Sequence, residues 1–448
     1  MRKVRNIYKR EISTGPRSVT RGETVITNGV SGGTWSPSLV RTPGSGVIEV
    51  TSVAPTSTRH GAGNVTRIET PDAGWDAFAT LELTTPIDFR HLRLRVLVWM
   101  DDFEVTGSND VSTYPFLVRA SSDAAANTFN NFVDGVANMR PGWNNRVFAL
   151  DRRTGINNNE FVGFATTGSP DLSSIKRFRF GTGGPGGVSP RIEIRHVAMG
   201  GMTKPVIIIN EDDCWANFFS RGLQYMQDRG LKCTFYCIPS KIGTGTGENA
   251  YATWTQMAEA QAFGHAVCDH TLNHSAQPFL VGASVAAIQA EIEGGRDELI
   301  ARGFTIRNEH LFFADPYNES SRENTLPNYR TAVQNAGMLF HRSVVESIQG
   351  PGCADPHNET CIWLDGTDAN NNPDLVIARI WEAVKAGGVI RLLFHKLADT
   401  VGGDTNVYLT AGFKKIMDFI AALCDADLAE NMTDPEYYDT FINVPLVA

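Results

Sequence analysis

At 448 residues the chain is too long for one ordinary hydrophobic core, which predicts two or three domains. Its 42% apolar and 20% charged residues describe a globular protein rather than a disordered one. The net charge of −9 argues against nucleic acid as the main partner, since phosphate binding needs clustered Lys and Arg.

No apolar run reaches the roughly 18 residues that suggest a membrane span. The N-terminus, "MRKVRNIYKREISTG", is basic but lacks the apolar stretch of a secretory signal, so no signal peptide is expected. The seven cysteines, Cys214, Cys233, Cys237, Cys268, Cys353, Cys361 and Cys424, all follow residue 200. An odd number in so long a chain is not a disulfide framework, and the asymmetry points to two unlike halves.

Residues 1–19 read as an arm or tether, and residues 20–200 as all-β. Period-2 runs recur at "VIEV" (Val47), "ATLEL" (Ala79), "LRLRVLVWM" (Leu92), "RVFAL" (Arg146), "RFRF" (Arg177) and "RIEIRHV" (Arg191). Alternate apolar side chains suit strands with one buried face. Clusters such as "TNGVSGGTWSPS" and "GTGGPGGVSP" supply turns between them. The expectation is an antiparallel sandwich, jelly-roll-like. Trp35, Trp75, Trp99 and Trp143 are each a core residue or a stacking surface for sugar rings, and Trp99, within "VLVWM", reads as core.

The character changes at "GGMTKP", Gly200 to Pro205, and residues 204–448 read as a second domain. "VIIIN" suits a strand buried on both faces. Then come a helical "ANFFSRGLQYMQDRG", a strand "KCTFYCI", a helical "WTQMAEAQAFG", a strand-like "HAVCDH" and a longer helix, "SVAAIQAEIEGGRDELIARG". Two more helices, "NYRTAVQNAG" and "PDLVIARIWEAVKAGG", precede a late strand, "VIRLLFH". Strands alternating with helices predict a parallel α/β architecture, an open sheet or a barrel.

Such domains carry functional groups at the C-terminal ends of their strands. "VIIINEDDCW" ends in Glu211, Asp212 and Asp213, "HAVCDHTLNH" in Asp269, His270 and His274, and "VIRLLFHK" in His395. Two imidazoles and a carboxylate are the preferred ligands of a catalytic zinc with an open position. His274 is expected one helical turn beyond His270, so that both rings face one ion. Each feature alone has a structural reading: a chance His pair, a helix cap, a core histidine. Their coincidence at three strand ends favours function.

Residues from about 205 to 425 resemble the polysaccharide deacetylase family, also known as the NodB-homology or carbohydrate esterase family 4 domain. "IINEDDCW" resembles its T-F-D-D-G motif, and "LKCTFYCI" the A-T-F-F-V strand that follows. "WTQMAEAQAFGHAVCDHTLNH" resembles the segment ending G-H-E-I-x-x-H-T-x-x-H, including Gly264 and His265. "FFADPYN" resembles R-P-P-Y-G or F-A-Y-P-Y-G, and "VIRLLFHK" a strand ending L-L-H. The resemblance implies a distorted (β/α) barrel of NodB type. It implies that Asp213, His270 and His274 bind a divalent metal, most plausibly Zn2+. Asp212 would be the general base and His395 the general acid. Asp315, Pro316 and Tyr317 would line the oxyanion and substrate side, with a backbone N–H near Tyr317 holding the oxyanion.

This chain departs from the pattern in several places. Glu211 replaces Phe before the Asp pair and Cys214 replaces Gly after it, reading as a packed thiol or a soft group near the metal. Ala314 stands where many members have the Arg that steadies the base. Asp315 would add negative charge to the cleft, and Asn318 replaces Gly. "WLDGTD", with Asp365 and Asp368, is the candidate to orient His395, and Asp269 reads as solvated or capping.

The implied activity is metal-dependent removal of N-acetyl, or O-acetyl, groups from a bacterial surface polysaccharide. The alternatives are a glycan-binding or receptor-binding protein that has lost activity, and an amidohydrolase acting on a small cyclic amide. Two placements fit: a virion-associated bacteriophage tail protein, which implies a trimer, or a cytoplasmic enzyme.

Overall fold

The structure, a computed structural model, describes residues 23–27, 34–39, 49–54, 65–69, 77–88, 93–100, 116–123, 129–134, 142–149, 163–182, 191–200, 204–275, 283–317, 326–344, 355–357, 359–364, 366 and 372–442. The expected arm, Trp75, Asn318, Asp365 and Asp368 lie outside the described residues, and of Trp35 only the backbone is described.

The N-terminal half is built of β1 (Glu23–Thr27), β2 (Thr34–Leu39), β3 (Glu49–Val53), β4 (Val65–Glu69), β5 (Ala77–Ile87), β6 (Arg93–Met100), β7 (Phe116–Ser121), β8 (Phe129–Asp134), β9 (Gly142–Ala149), β10 (Gly163–Thr167), β11 (Ile175–Thr182) and β12 (Arg191–Gly200). Among the described residues these form two antiparallel sheets. One runs β3-β4-β12-β6-β9 with β1 also on β12, and the other β10-β8-β7-β11-β5-β2. Ile68, Val96 and Ile192 of the first sheet share one core with Leu81, Val118 and Phe178 of the second, so the sheets pack face to face. The alternating runs read from the sequence fall on β3, β5, β6, β9, β11 and β12. The polar-tipped β8 and the short β4, β7 and β10 carried too weak an alternation.

The C-terminal half is a closed parallel barrel. Its strands are β13 (Val206–Asp213), β14 (Thr234–Cys237), β15 (Ala266–Asp269), β16 (Phe312–Ala314), β17 (Phe340–Val344), β18 (Glu359–Trp363) and β19 (Val389–Phe394). They pair in chain order, and β13 closes the ring by pairing with both β19 and β14. Beyond the ring, β20 (Lys396–Ala398) pairs with β21 (Val407–Leu409), and β22 (Glu430–Met432) flanks the start of β13. Helices Trp254–Ala262, Val285–Arg302, Leu326–Asn335, Pro373–Ala386 and Thr410–Asp425 lie along the sequence between or after the strands.

Strand alternation sorts the barrel into two layers. Ile207, Ile209, Phe235, Val267, Ile390 and Leu392 pack outward with the helices. Val206, Ile208, Tyr236, Phe312, Ala314, Phe340 and Val389 face inward. Several of these inward residues are the first of their strands and make the barrel floor. Tyr437, Phe441 and Ile442, from the segment after β22, join the same cluster. So do Leu97, Trp99 and Trp143 from the outer face of the first sheet. Trp99 and Trp143 are register partners on β6 and β9, and both are buried. Trp99 is core, as read, and Trp143 is buried with it rather than open to a sugar ring.

Candidate functional site

The inward positions at the C-terminal ends of the strands are polar. Asp212 ends the inward row of β13, His270 follows β15, Arg342 lies on β17, Cys361 on β18, and His395 follows β19. Asp213 and Cys214 both take left-handed backbone conformations, φ 77° and 63°, and Cys214 stands where the related motif has its glycine. Glu211 compensates. Its buried carboxyl accepts the backbone N–H groups of Cys214 (3.1 Å) and Trp215 (2.9 Å), tying the turn together. Burial pushes that carboxyl well above its usual range. Cys214 is fully buried in the outer apolar layer, a packed thiol.

His274 reaches the site differently from the expectation of a helical turn. Residues 271–275 are a loop in which Thr271 (φ 64°) and His274 (φ 51°) are left-handed. The Thr271 hydroxyl accepts the His274 N–H at 3.1 Å, and the Leu272 N–H donates to the Glu291 carbonyl on the Val285–Arg302 helix. Two conformational reversals in four residues replace the helical turn and still bring the rings to 4.9 Å between centroids.

Asp213, His270 and His274 converge. One donor atom from each lies within 4.8 Å of the others. Asp213 Oδ1 is 3.7 Å from His270 Nε2 and 3.5 Å from His274 Nε2. Ligands of a tetrahedral zinc stand ~3.3 Å apart, given metal–nitrogen bonds of about 2.0–2.1 Å. Asp213 Oδ1 is also buried without a hydrogen-bond partner, which a cation would supply. His270 Nδ1 lies 2.8 Å from the Ala314 carbonyl oxygen. Only a protonated Nδ1 can bond a carbonyl, so Nε2 keeps its lone pair for the site. The donor set therefore fits a divalent metal.

The electrostatics agree. Burial opposes the charge of Asp213, but His274, His395, His270 and the Trp215 indole outweigh it, leaving the carboxyl below its ordinary range. Burial, reinforced by His270, pushes His274 down to about 4, and burial lowers His395. The His274 ring is thus neutral near pH 7, as metal ligation requires.

Asp212 is 3% exposed. Its Oδ1 accepts the Arg342 guanidinium at 2.5 Å, while Oδ2 lies 3.8 Å from His270 Nε2. Arg342 was not picked out from the sequence. Its signal was an arginine at an inward position of the otherwise buried strand "FHRSV", a strand that itself went unread. It also lies over the Tyr236 ring and donates to the Cys361 sulfur. Tyr236 continues the column downward: its hydroxyl donates to Asp434 (2.9 Å), which also receives Arg391 (2.7 Å), itself paired with Glu359.

His395 feels the charges of both Asp213 and Asp212, and its ring meets Trp363 edge-on at 6.2 Å. Tyr317, 46% exposed and left-handed (φ 56°), lies against His274 with ring centroids 4.5 Å apart, following buried Pro316. Two expectations are corrected. Asp315 does not charge the cleft: it turns outward and is buried 3.5 Å from His341, whose ring stacks on outward-facing Phe313. Asp269 is not solvated: it faces outward and is buried against Gly295, where an added Cβ would meet its carboxylate at 2.0 Å.

Residues 200–338 match the family model described as polysaccharide deacetylase. That span holds the first four barrel strands, β13 to β16, and over it the chain is similar to this family. Similar solved structures include the Xyl-CE4 domain of a multidomain xylanase from the hindgut metagenome of Trinervitermes trinervoides. It is 15% identical, with a TM-score of 0.36, over 53% of this chain and 91% of that one. The family 4 carbohydrate esterase from Streptomyces lividans in complex with acetate is 14% identical, with a TM-score of 0.34, over 52% and 96%. A family 4 acetyl xylan esterase from Clostridium thermocellum in complex with a cobalt ion is 14% identical, with a TM-score of 0.35, over 52% and 90%. No curated protein matches the chain. Among the described residues no helix is long and apolar enough to cross a membrane.

Proposed function

We propose that the protein is a metal-dependent hydrolase that removes acetyl groups from an acetylated polysaccharide. The observation that carries this reading is the unpartnered Asp213 Oδ1 facing two imidazoles, beside a second carboxylate held by Arg342. Zinc held by Asp213, His270 and His274 would polarise the acetyl carbonyl and make water a better nucleophile at neutral pH.

The chain's own groups supply the proton transfers. Asp212 takes the proton of the attacking water on Oδ2, the oxygen that Arg342 leaves open. Arg342 fixes this buried carboxylate in orientation. His395 returns a proton to the departing nitrogen, or to oxygen in an ester, which would otherwise leave as a strongly basic anion. A backbone N–H near Tyr317 stabilises the developing oxyanion. Tyr317, half exposed beside His274, offers a ring face to the sugar.

The sandwich and barrel are read as two domains meeting between Gly200 and Val206, with the sandwich serving substrate binding or assembly. The β-rich N-terminal half and basic N-terminal segment favour a bacteriophage tail enzyme acting on a bacterial surface glycan.

Acetate release from a panel of N- and O-acetylated glycans tests the proposal, using zinc-loaded, chelator-treated and Asp212→Asn protein. Release that needs both metal and Asp212 is expected. No release from any glycan by protein shown to hold zinc would overturn the hydrolase reading in favour of a glycan-binding protein.

A further inference from the structure

Trp215 follows the strained turn at Asp213 and Cys214, and nothing in the family resemblance assigns it a role. It is 8% exposed, and its indole N–H donates to Asp213 Oδ2 at 2.9 Å. The ring is held on two sides. Tyr251 stacks on it, with centroids 4.4 Å apart and planes 24° from parallel. The Lys396 ammonium lies 4.2 Å from its centroid. That ammonium is itself fixed by Asn249 (2.9 Å) and Asp404 (3.2 Å). The backbone is pinned as well, because the Trp215 N–H donates to Glu211 and the residue forms an isolated bridge with Tyr251.

A carboxylate at the end of a strand can rotate about its last bond and offer either oxygen. An indole clamped by a stacked ring and a cation cannot follow such a rotation. Its N–H therefore commits Oδ2 and leaves Oδ1 to the side where His270 and His274 stand, at 3.7 and 3.5 Å. Hydrogen bonds to a ligand's second oxygen hold the first one in place.

We propose that Trp215 is a positioning residue for the metal-binding carboxylate, and that the Lys396–Trp215–Tyr251 stack is the clamp that fixes which oxygen of Asp213 faces the ion. The inference rests on the metal-hydrolase reading above.

The test uses the full chain and Trp215→Phe, which keeps an aromatic ring for the stack and removes the donor along with part of the ring. Zinc affinity is measured by competition with a chromophoric chelator, cobalt(II) binding by its visible absorption spectrum, and folding by the melting temperature of metal-free protein. A zinc Kd raised about 10- to 100-fold and an altered cobalt spectrum are expected, with metal-free melting held close to wild type. An unchanged Kd and spectrum would overturn the positioning role. If Trp215→Phe melts early, Lys396→Met keeps the indole and loosens the clamp. It should weaken zinc by a smaller factor, and an affinity equal to wild type would again overturn the proposal. Wild-type protein that binds neither ion would instead sink the metal-hydrolase reading itself, and this inference with it.

Discussion

Arg342 and Ala314 are register partners on adjacent strands, and both point into the barrel. The R-P-P-Y-G form of the related motif has an arginine where Ala314 stands. Here the small side chain leaves the space, and the cation comes from one strand over, at the same level, to reach Asp212. The cation beside Asp212 is thus supplied by β17 rather than β16.

This makes Arg342→Ala costly in two ways. A buried carboxylate would lose its only strong partner among the described residues, which destabilises by roughly 3–5 kcal/mol. Misplacement of the base should lower kcat on the order of 100-fold. Ala314→Arg combined with Arg342→Ala should recover part of both losses. Thermal melts and turnover of the two variants check this, and a double variant no better than the single one would contradict the relocation.

The two adjacent aspartates should separate cleanly in their roles. Asp212→Asn keeps the metal and loses activity by about 10²–10⁴, the usual worth of a general base. Asp213→Asn and His270→Ala should lose the metal itself. Metal content after gel filtration, read beside acetate release, distinguishes them. Equal metal loss in all three would mean that Asp212 is a ligand rather than a base.

His395→Ala should depend on the leaving group. With an acetamide substrate the loss should be about 10²–10⁴, because the nitrogen must be protonated as it departs. With an aryl acetate, whose phenolate leaves unaided, it should be far smaller. The ratio of the two kcat/KM losses is the measurement, and a ratio near one would remove His395 from the role of acid.

His265 carries a pH signature in stability. Burial, with the nearby Lys232 charge, pushes it down to about 4, and its Nδ1 accepts the Cys233 N–H at 3.0 Å. The folded state thus refuses a proton that the unfolded chain takes near 6.5. Stability should fall as the pH drops from about 6.5 to 4, by up to about 3 kcal/mol from this group alone. His265→Asn keeps an acceptor that cannot titrate, so urea unfolding across that range should show a shallower decline. Parallel declines in the two proteins would refute the assignment.

Much of the barrel was legible because apolar strands and helices with clear stops alternate along residues 204–425. The candidate metal-site residues were legible because D-D and H-T-x-x-H fall where parallel strands end. Arg342 was not, since β17 is short and mixes His, Arg and Ser among apolar residues, and its inward position follows only from the register with β16. Asp315 and Asp269 were misplaced for one reason: strand parity decides which layer a side chain joins, and both fall on the outward side. His274 defied a helical reading because Thr271 and His274 adopt left-handed backbone that only the surrounding contacts reveal.

The tryptophan pair at the base of the barrel sets a limit on modularity. Trp99 and Trp143 share a lining with the first residues of the barrel strands and with Phe441. A cut between Gly200 and Val206 would therefore not release a self-sufficient hydrolase; it would strip the seal from one end of it. Any replacement for the N-terminal half must bring its own apolar plate to fit that underside. The two halves thus share one apolar core at this end and form a single packing unit.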